Sequence, residues 1–297
     1  MKKLILVFTL TIALLDSFGQ QLPVISQFQF NRLYYNPAYA GSNEQFSAST
    51  FFRKQWIGSI PNTPTTGMVS ADAPIGTTKL GVGGYALYDI AGVTNTTEIS
   101  GALSYKINVG PESYLSAGLK AGATYYQANV NQLKIWDQSD AVFDGPGISQ
   151  VMPKIGFGAY YYHTNYYAGF SAPDLFLIDK QKIFTSEVDG KKTVYRNFVL
   201  MGGANIMLTN RFTLVPSIIV KYFPNSPLYV NVNAGLKLSE KIQAGVGYRT
   251  PTTFSLFGNM ALNEKIKVGY AFDFNPSNFS LGNAGSHEVM LTYGLQQ

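Results

Sequence analysis

Lys265-Ile266-Lys267-Val268-Gly269-Tyr270-Ala271-Phe272-Asp273-Phe274 decides the fold. The even positions, Ile266, Val268, Tyr270, Phe272 and Phe274, are all apolar, and the odd ones are small or charged. Successive side chains of a β-strand point to opposite faces, so this stretch reads as a strand between two different solvents. The alternation recurs along almost the whole chain. In 114–126, Leu115, Ala117, Leu119, Ala121 and Tyr125 oppose Ser116, Gly118, Lys120, Gly122 and Thr124. In 241–249, Ile242, Ala244, Val246 and Tyr248 oppose Gln243, Gly245, Gly247 and Arg249. The strands at 98–108 and 229–238 repeat the pattern. Each mid-strand Lys or Arg falls on the polar face, as expected if the other face meets lipid, where a cation costs about 2–4 kcal/mol at the midplane.

The pattern predicts about fourteen strands, near 45–56, 64–74, 78–89, 94–108, 112–126, 151–162, 165–172, 193–208, 211–222, 226–238, 240–249, 252–262, 264–274 and 286–296. Most reach the length that a tilted membrane strand requires, and the number is even. Their connections alternate. The stretches 127–150, 173–192 and 275–285 are long, whereas 109–111, 163–164, 209–210, 239 and 263 are tight. Long outer loops and short periplasmic turns are the asymmetry of an outer-membrane barrel. A soluble β-sandwich or a β-solenoid also alternates, but its solvent face carries charge. Here that face is largely Gly, Ser, Asn and Thr, and only 13% of the 297 residues are charged although 46% are hydrophobic. The expected fold is therefore all-β, a transmembrane antiparallel β-barrel of about fourteen strands.

Residues 1–19 read as a signal peptide, with Lys2 and Lys3 before the apolar run Leu4–Leu15 and small residues at Ser17-Phe18-Gly19. Residues 20–44 do not alternate and hold Pro23, Pro37 and several aromatics. They are expected to form a non-barrel segment, extended or in short helices, packed in the lumen as a plug. The barrel takes 45–297.

Chemistry-bearing patterns are sparse. A net charge of +5 with no dense basic cluster gives no nucleic-acid surface. With no cysteine and only His163 and His287, a transition-metal site is not expected. His287, Glu288 and Asp273 could come together, but polar lumen residues explain them better than catalysis. Asp137, Asp140 and Asp144 lack the ligand spacing of an EF-hand loop and read as a solvated acidic loop. Gly81-Val82-Gly83-Gly84 and Gly245-Val246-Gly247 lie within strands with no helix following, so they are not nucleotide loops. They are expected to relieve crowding or to permit bending of a closed sheet. Tyr160, Tyr161, Tyr162, Tyr166 and Tyr167 straddle a tight turn and are expected to form an inner membrane-interface girdle. No catalytic residue, metal or cofactor is expected.

Two N-terminal stretches are more specific. The first is Ser26-Gln27-Phe28-Gln29-Phe30-Asn31-Arg32-Leu33-Tyr34-Tyr35-Asn36-Pro37-Ala38-Tyr39-Ala40-Gly41-Ser42. The second is Arg53-Lys54-Gln55-Trp56-Ile57-Gly58, followed by Pro61-Asn62-Thr63-Pro64. Together they resemble the PorP/SprF family of type IX secretion system membrane proteins of Bacteroidota. The sequence departs from the family pattern at Ser59-Ile60, where a Gly often precedes the Pro; 287–297 resembles the family's last strand but ends in Gln rather than the terminal aromatic common in barrels. The resemblance implies a non-enzymatic outer-membrane component that assists export or surface attachment of particular proteins, gliding adhesins among them. It implies as partners secreted cargo with a C-terminal sorting domain, the periplasmic ring and motor components, and outer-membrane lipid. It singles out Gln27, Phe30, Asn31, Asn36, Pro37, Ala38, Tyr39, Gly41, Arg53, Gln55, Trp56 and Gly58 as family-motif positions that could bind partners.

Read from the residues themselves, Pro37 fixes φ after an Asn that favours a turn. Arg53, Gln55 and Trp56 are expected at the outer end of the first strand, where Arg53 and Gln55 share a face by period two. The N-terminal segment is expected to pack against the lumen wall and the outer loops to contact cargo; a purely architectural role for the motif is the other reading. A passive porin or hydrophobic-solute channel is the alternative function, and openness of the lumen separates the two. A barrel of this size is too narrow to pass a large folded protein.

Overall fold

The computed structural model describes residues 23–43, 45–58, 62–129, 147–177, 185–188, 191–194, 197–224, 226–276 and 285–294. The signal-peptide region and Asp137, Asp140 and Asp144 lie outside the described residues.

The strands are β1 Ser47–Lys54, β2 Thr65–Pro74, β3 Leu80–Ala91, β4 Thr94–Gly110, β5 Ser113–Ala128, β6 Ile148–His163 and β7 Tyr166–Leu177. After a separate small hairpin, β8 Thr185–Val188 with β9 Lys191–Val194, come β10 Phe198–Ala204 and its two-residue continuation β11 Ile206–Met207. Then follow β12 Thr213–Tyr222, β13 Tyr229–Lys237, β14 Ile242–Arg249, β15 Thr253–Ala261, β16 Ile266–Phe274 and β17 Ser286–Tyr293. Sequential neighbours pair antiparallel, with β10 on both β7 and β12. The sheet closes where β1 pairs β17, from Ala48 opposite Tyr293 to Lys54 opposite His287. Counting β10 and β11 as one, this is a closed barrel of fourteen antiparallel strands.

Burial is inverted relative to a soluble protein. Leu119 is 64% exposed while its neighbour Lys120 is 2% exposed. Ile99, Val151, Leu200 and Val246 likewise point outward, and Ser100, Lys154, Asn233 and Arg249 point in. The predicted phase is the observed one. Exposed aromatics near the strand ends, such as Tyr105 and Tyr166 at one end and Tyr125 and Tyr222 at the other, suit the two membrane–water interfaces.

Two sequence expectations need correction. β1 ends at Lys54, so strand alternation does not carry over to Gln55. The tyrosine cluster is not one girdle. Tyr160 is fully buried, and Tyr162 and Tyr167 pack against the interior cluster, whereas Tyr161 and Tyr166 lie on the outer face. The reason is the register: Tyr162 faces Tyr167 across β6 and β7, and period two sends Tyr161 and its diagonal neighbour Tyr166 the other way.

The buried apolar cluster belongs largely to the N-terminal segment. Ile25, Phe28, Phe30, Leu33, Tyr34, Tyr35, Ala38 and Tyr39 meet lumen-facing Phe51, Met68, Tyr85, Leu87, Tyr160, Met201, Ile219 and Met290. These wall residues come from strands all around the ring, so the segment lies inside the barrel. It runs as three short turns, Phe28–Phe30, Arg32–Tyr35 and Pro37–Tyr39. Pro37 has no N–H to leave unsatisfied at the start of its turn, and Asn36 Oδ1 accepts from the Ala38 N–H at 2.9 Å.

Candidate functional site

In the half of the lumen near the long connections, four ionisable side chains from four strands converge on the N-terminal segment. Arg53 Nη2 lies 2.7 Å from Asp273 Oδ2, and Arg53 Nη1 lies 3.5 Å from Glu288 Oε2. Arg249 Nη2 lies 2.9 Å from the same Asp273 oxygen. Two cations thus meet two carboxylates. The segment supplies further donors: Ser26 Oγ donates to Asp273 at 2.7 Å, and the Ser26 and Gln27 N–H groups donate to Glu288 at 2.8 and 3.0 Å. Ser26 Oγ also accepts from Arg53 at 2.8 Å. Buried charges are stable only when paired and hydrogen-bonded. Here part of that pairing is the backbone of the N-terminal segment itself. Asn233 adds a bond to the Ser26 carbonyl at 3.0 Å.

A second neutral network crosses the opposite wall. Lys154 lies 2.5 Å from Glu98 and 3.0 Å from Asp174, and Lys120 lies 3.4 Å from Asp174. The Tyr85 hydroxyl joins Lys120 and Glu98. The ring of Tyr34 meets Tyr85 edge-on at 5.2 Å, so this network also abuts the segment.

The motif Asn36–Gly41 docks along a trough of small residues. Asn36 Nδ2 donates to the Ala159 and Phe170 carbonyls at 2.9 and 3.3 Å. Ser104 Oγ donates to the Ala40 carbonyl at 2.6 Å, and the Gly41 N–H donates to Asp72 at 2.9 Å. A Cβ at Gly118 would collide with the Ala38 backbone, and one at Gly158 with the Asn36 side chain. Gly81 leaves room for Ala40 in the same way. Gly41 itself has φ of +64°, a left-handed turn that glycine takes at little cost.

The remaining motif positions divide by place. Gln27, Phe30, Asn31, Pro37, Ala38 and Tyr39 are buried inside the barrel, and Ser49 Oγ donates to Asn31 at 3.1 Å. Gln55, Trp56 and Gly58 sit just beyond β1 at the rim beside the long connections. The Trp56 N–H donates to Ser286 at 3.3 Å and the Ile57 N–H to the Gly285 carbonyl at 2.9 Å, which ties this turn to the start of β17. Trp56 is 47% exposed with φ of +51°, an unusual backbone for a bulky residue.

His287 does not join Glu288 and Asp273. It faces outward against Tyr270 and Phe272, as alternation along β17 requires. Sequence reasoning placed Arg249 on the polar face and Ser26 in the motif without assigning either a role. Their shared Asp273 partner lies more than twenty residues from one and over two hundred from the other.

A family model described as "Type IX secretion system membrane protein PorP/SprF" matches residues 17–293. No curated protein matches the sequence. Among solved structures, the chain is similar to a TodX deltaS2S3 mutant monoaromatic hydrocarbon channel, with 9% identity, TM-score 0.50, 88% of this chain covered and 93% of that one. It is also similar to the Acinetobacter baumannii outer membrane protein Omp33, with 9% identity, TM-score 0.49, and 85% and 98% covered. At such identities the likeness concerns the barrel fold alone. The chain belongs to the PorP/SprF family of type IX secretion system membrane proteins, and it is an outer-membrane β-barrel.

Proposed function

We propose that the chain is a non-enzymatic, plugged barrel that assists export or surface attachment of specific secreted proteins through protein–protein contacts at its two rims. The observation that supports this reading is the N-terminal segment 23–43, which lies inside the barrel and is tied to the wall by Asp273 and Glu288 on one side and by Asn36 and Gly41 on the other. A lumen filled in this way suits docking better than free diffusion of solute. In this reading Gln27, Phe30, Asn31, Asn36, Pro37, Ala38, Tyr39, Gly41 and Arg53 hold the plug. Gln55, Trp56 and Gly58, with the long outer connections, present a surface to cargo bearing a C-terminal sorting domain. The ring and motor components of the secretion system meet the periplasmic rim. Segment 1–19 serves as the export signal, removed before the plug at 20–44 enters the barrel at 45–297.

The passive channel is the competing function. Its structural likeness, a monoaromatic hydrocarbon channel at 9% identity, concerns the fold and carries no solute over to this chain. The test is affinity purification of the tagged protein from detergent-solubilised outer membranes, followed by mass spectrometry. Co-purification of a sorting-domain protein or a ring subunit is expected. A barrel that emerges without either, and whose deletion leaves secretion intact, would contradict the proposal.

A further inference from the structure

The charges of the lumen are distributed unevenly. In the half near the long connections, Arg53 and Arg249 are matched by Asp273 and Glu288, and Lys120 and Lys154 by Glu98 and Asp174, while a fifth cation, Lys221, rests on the Tyr35 and Tyr229 rings. The other half opens at the short-turn end as a vestibule of about 280 Å³ floored by the N-terminal segment. Among the described residues, its lining carries Arg32, Lys106, Lys237 and Lys267 against a single carboxylate, Glu112. None of the four cations has a carboxylate partner among the described residues. Three of them rest instead on aromatic faces: Arg32 over Tyr167 at 4.0 Å, Lys106 over Tyr114 at 5.6 Å and Lys267 over Phe30 at 5.4 Å. Glu112 is itself engaged by the Thr164 hydroxyl at 2.8 Å. Two buried polar atoms of this lining, Arg32 Nε on the floor and Tyr167 Oη on the wall, have no hydrogen-bond partner among the described residues.

We infer that this vestibule is a receptor for an acidic polypeptide segment presented from the periplasm. The sign of the charge requires an anion, and the strand order decides which kind. Lys106 is on β4 and Lys237 on β13, nearly opposite each other around the ring, while Arg32 lies on the floor. Cations spread around a mouth of this width do not converge on one small ion. They suit a ligand with several carboxylates along its length. A lipid headgroup is excluded by geometry, because the closed wall separates the bilayer from the barrel axis. The tyrosine lining offers flat apolar faces with hydroxyl edges, the surface that polypeptides use most readily for recognition. The size admits the tip of a segment, not a folded domain. Unlike cargo contact at the outer rim, this inference depends only on the barrel's orientation in the membrane, in which short turns face the periplasm.

The test uses the purified full chain in detergent and fluorescence anisotropy of a fluorescein-labelled hexaglutamate peptide flanked by Gly-Ser. Saturable binding is expected, weakening as salt rises and absent for a hexaserine control. The double variant Lys237→Glu with Lys267→Glu is expected to weaken it by about tenfold or more. The neutral pair Lys237→Gln with Lys267→Gln, which is gentler on the fold, is expected to weaken it to a lesser degree. Lys265→Glu, on the adjacent exposed turn, is expected to leave it unchanged. Binding that Lys265→Glu weakens as much as the vestibule variants would show general surface attraction and overturn the inference. So would equal binding of hexaserine, or no binding by the intact chain. Because the readout is direct binding and not export, it fails separately from the cargo reading.

Discussion

The Arg53 guanidinium and the Ser26 hydroxyl lie 2.8 Å apart, which joins the two sequence motifs across the barrel lumen. The first motif supplies the segment that enters the barrel, and the second supplies the cation that neutralises the carboxylates holding it. Arg53 is 1% exposed and Glu288 is fully buried, so neither charge has water as an alternative partner.

Arg53→Ala should therefore destabilise the folded barrel by about 3–5 kcal/mol, because it leaves buried Glu288 without a cation and Asp273 with Arg249 alone. Urea unfolding in detergent micelles measures this. Arg53→Lys should recover only part of the loss, since an ammonium cannot match the two-pronged contact to Asp273 and Glu288. An alanine variant with an unchanged midpoint would show that the cluster does not hold the segment.

The glycine trough makes a steric prediction. Gly158→Ala places a methyl group against the Asn36 side chain and should cost about 1–3 kcal/mol through overpacking, loosening the segment. Gly101→Ala, where the added methyl meets open space, should be silent. Limited proteolysis of the N-terminal segment reads the difference, and equal sensitivity of the two variants would contradict the docking geometry.

The lipid-facing phase is tested by Leu119→Arg, which puts a cation on the outer face in the middle of β5. A loss of about 2–4 kcal/mol of membrane stability is expected. Ser116→Ala, on the inward face of the same strand, should cost far less. Comparable effects would reverse the assignment of inside and outside.

Trp56 supplies a prediction about cargo. Its half-exposed ring sits on a left-handed backbone held by Ser286 and Gly285, at the rim beside the long connections. Trp56→Ala should insert and fold normally but reduce the amount of cargo reaching the cell surface. Surface labelling of cargo in cells carrying the variant checks this, and undiminished export would leave Trp56 with a membrane-interface role only.

The barrel was legible in the sequence because its governing rule is local. Period two, the placement of Lys120 and Arg249 on the polar face, and the alternation of long and short connections all survive in single stretches of chain. The anchor cluster was only half legible. Arg53 stood out in its motif, and Asp273 and Glu288 could be read as lumen residues, but their meeting with Ser26 and Arg249 depends on how the sheet closes. The tyrosines near His163 were misjudged because an aromatic run at a turn suggests an interface, whereas alternation divides it between lumen and lipid. Of the two roles expected for the glycines of β3, relief of crowding or bending of the sheet, Gly81 shows the first. The crowding neighbour, the Ala40 backbone, comes from a segment that no strand pattern could place.

The most direct measurement is single-channel conductance in planar bilayers, comparing the full chain with a variant lacking residues 23–43. The full chain should be nearly silent, and the shortened barrel should open to a steady current. A large steady current through the intact protein, unchanged when the segment is removed, would contradict the plugged barrel and favour a passive channel.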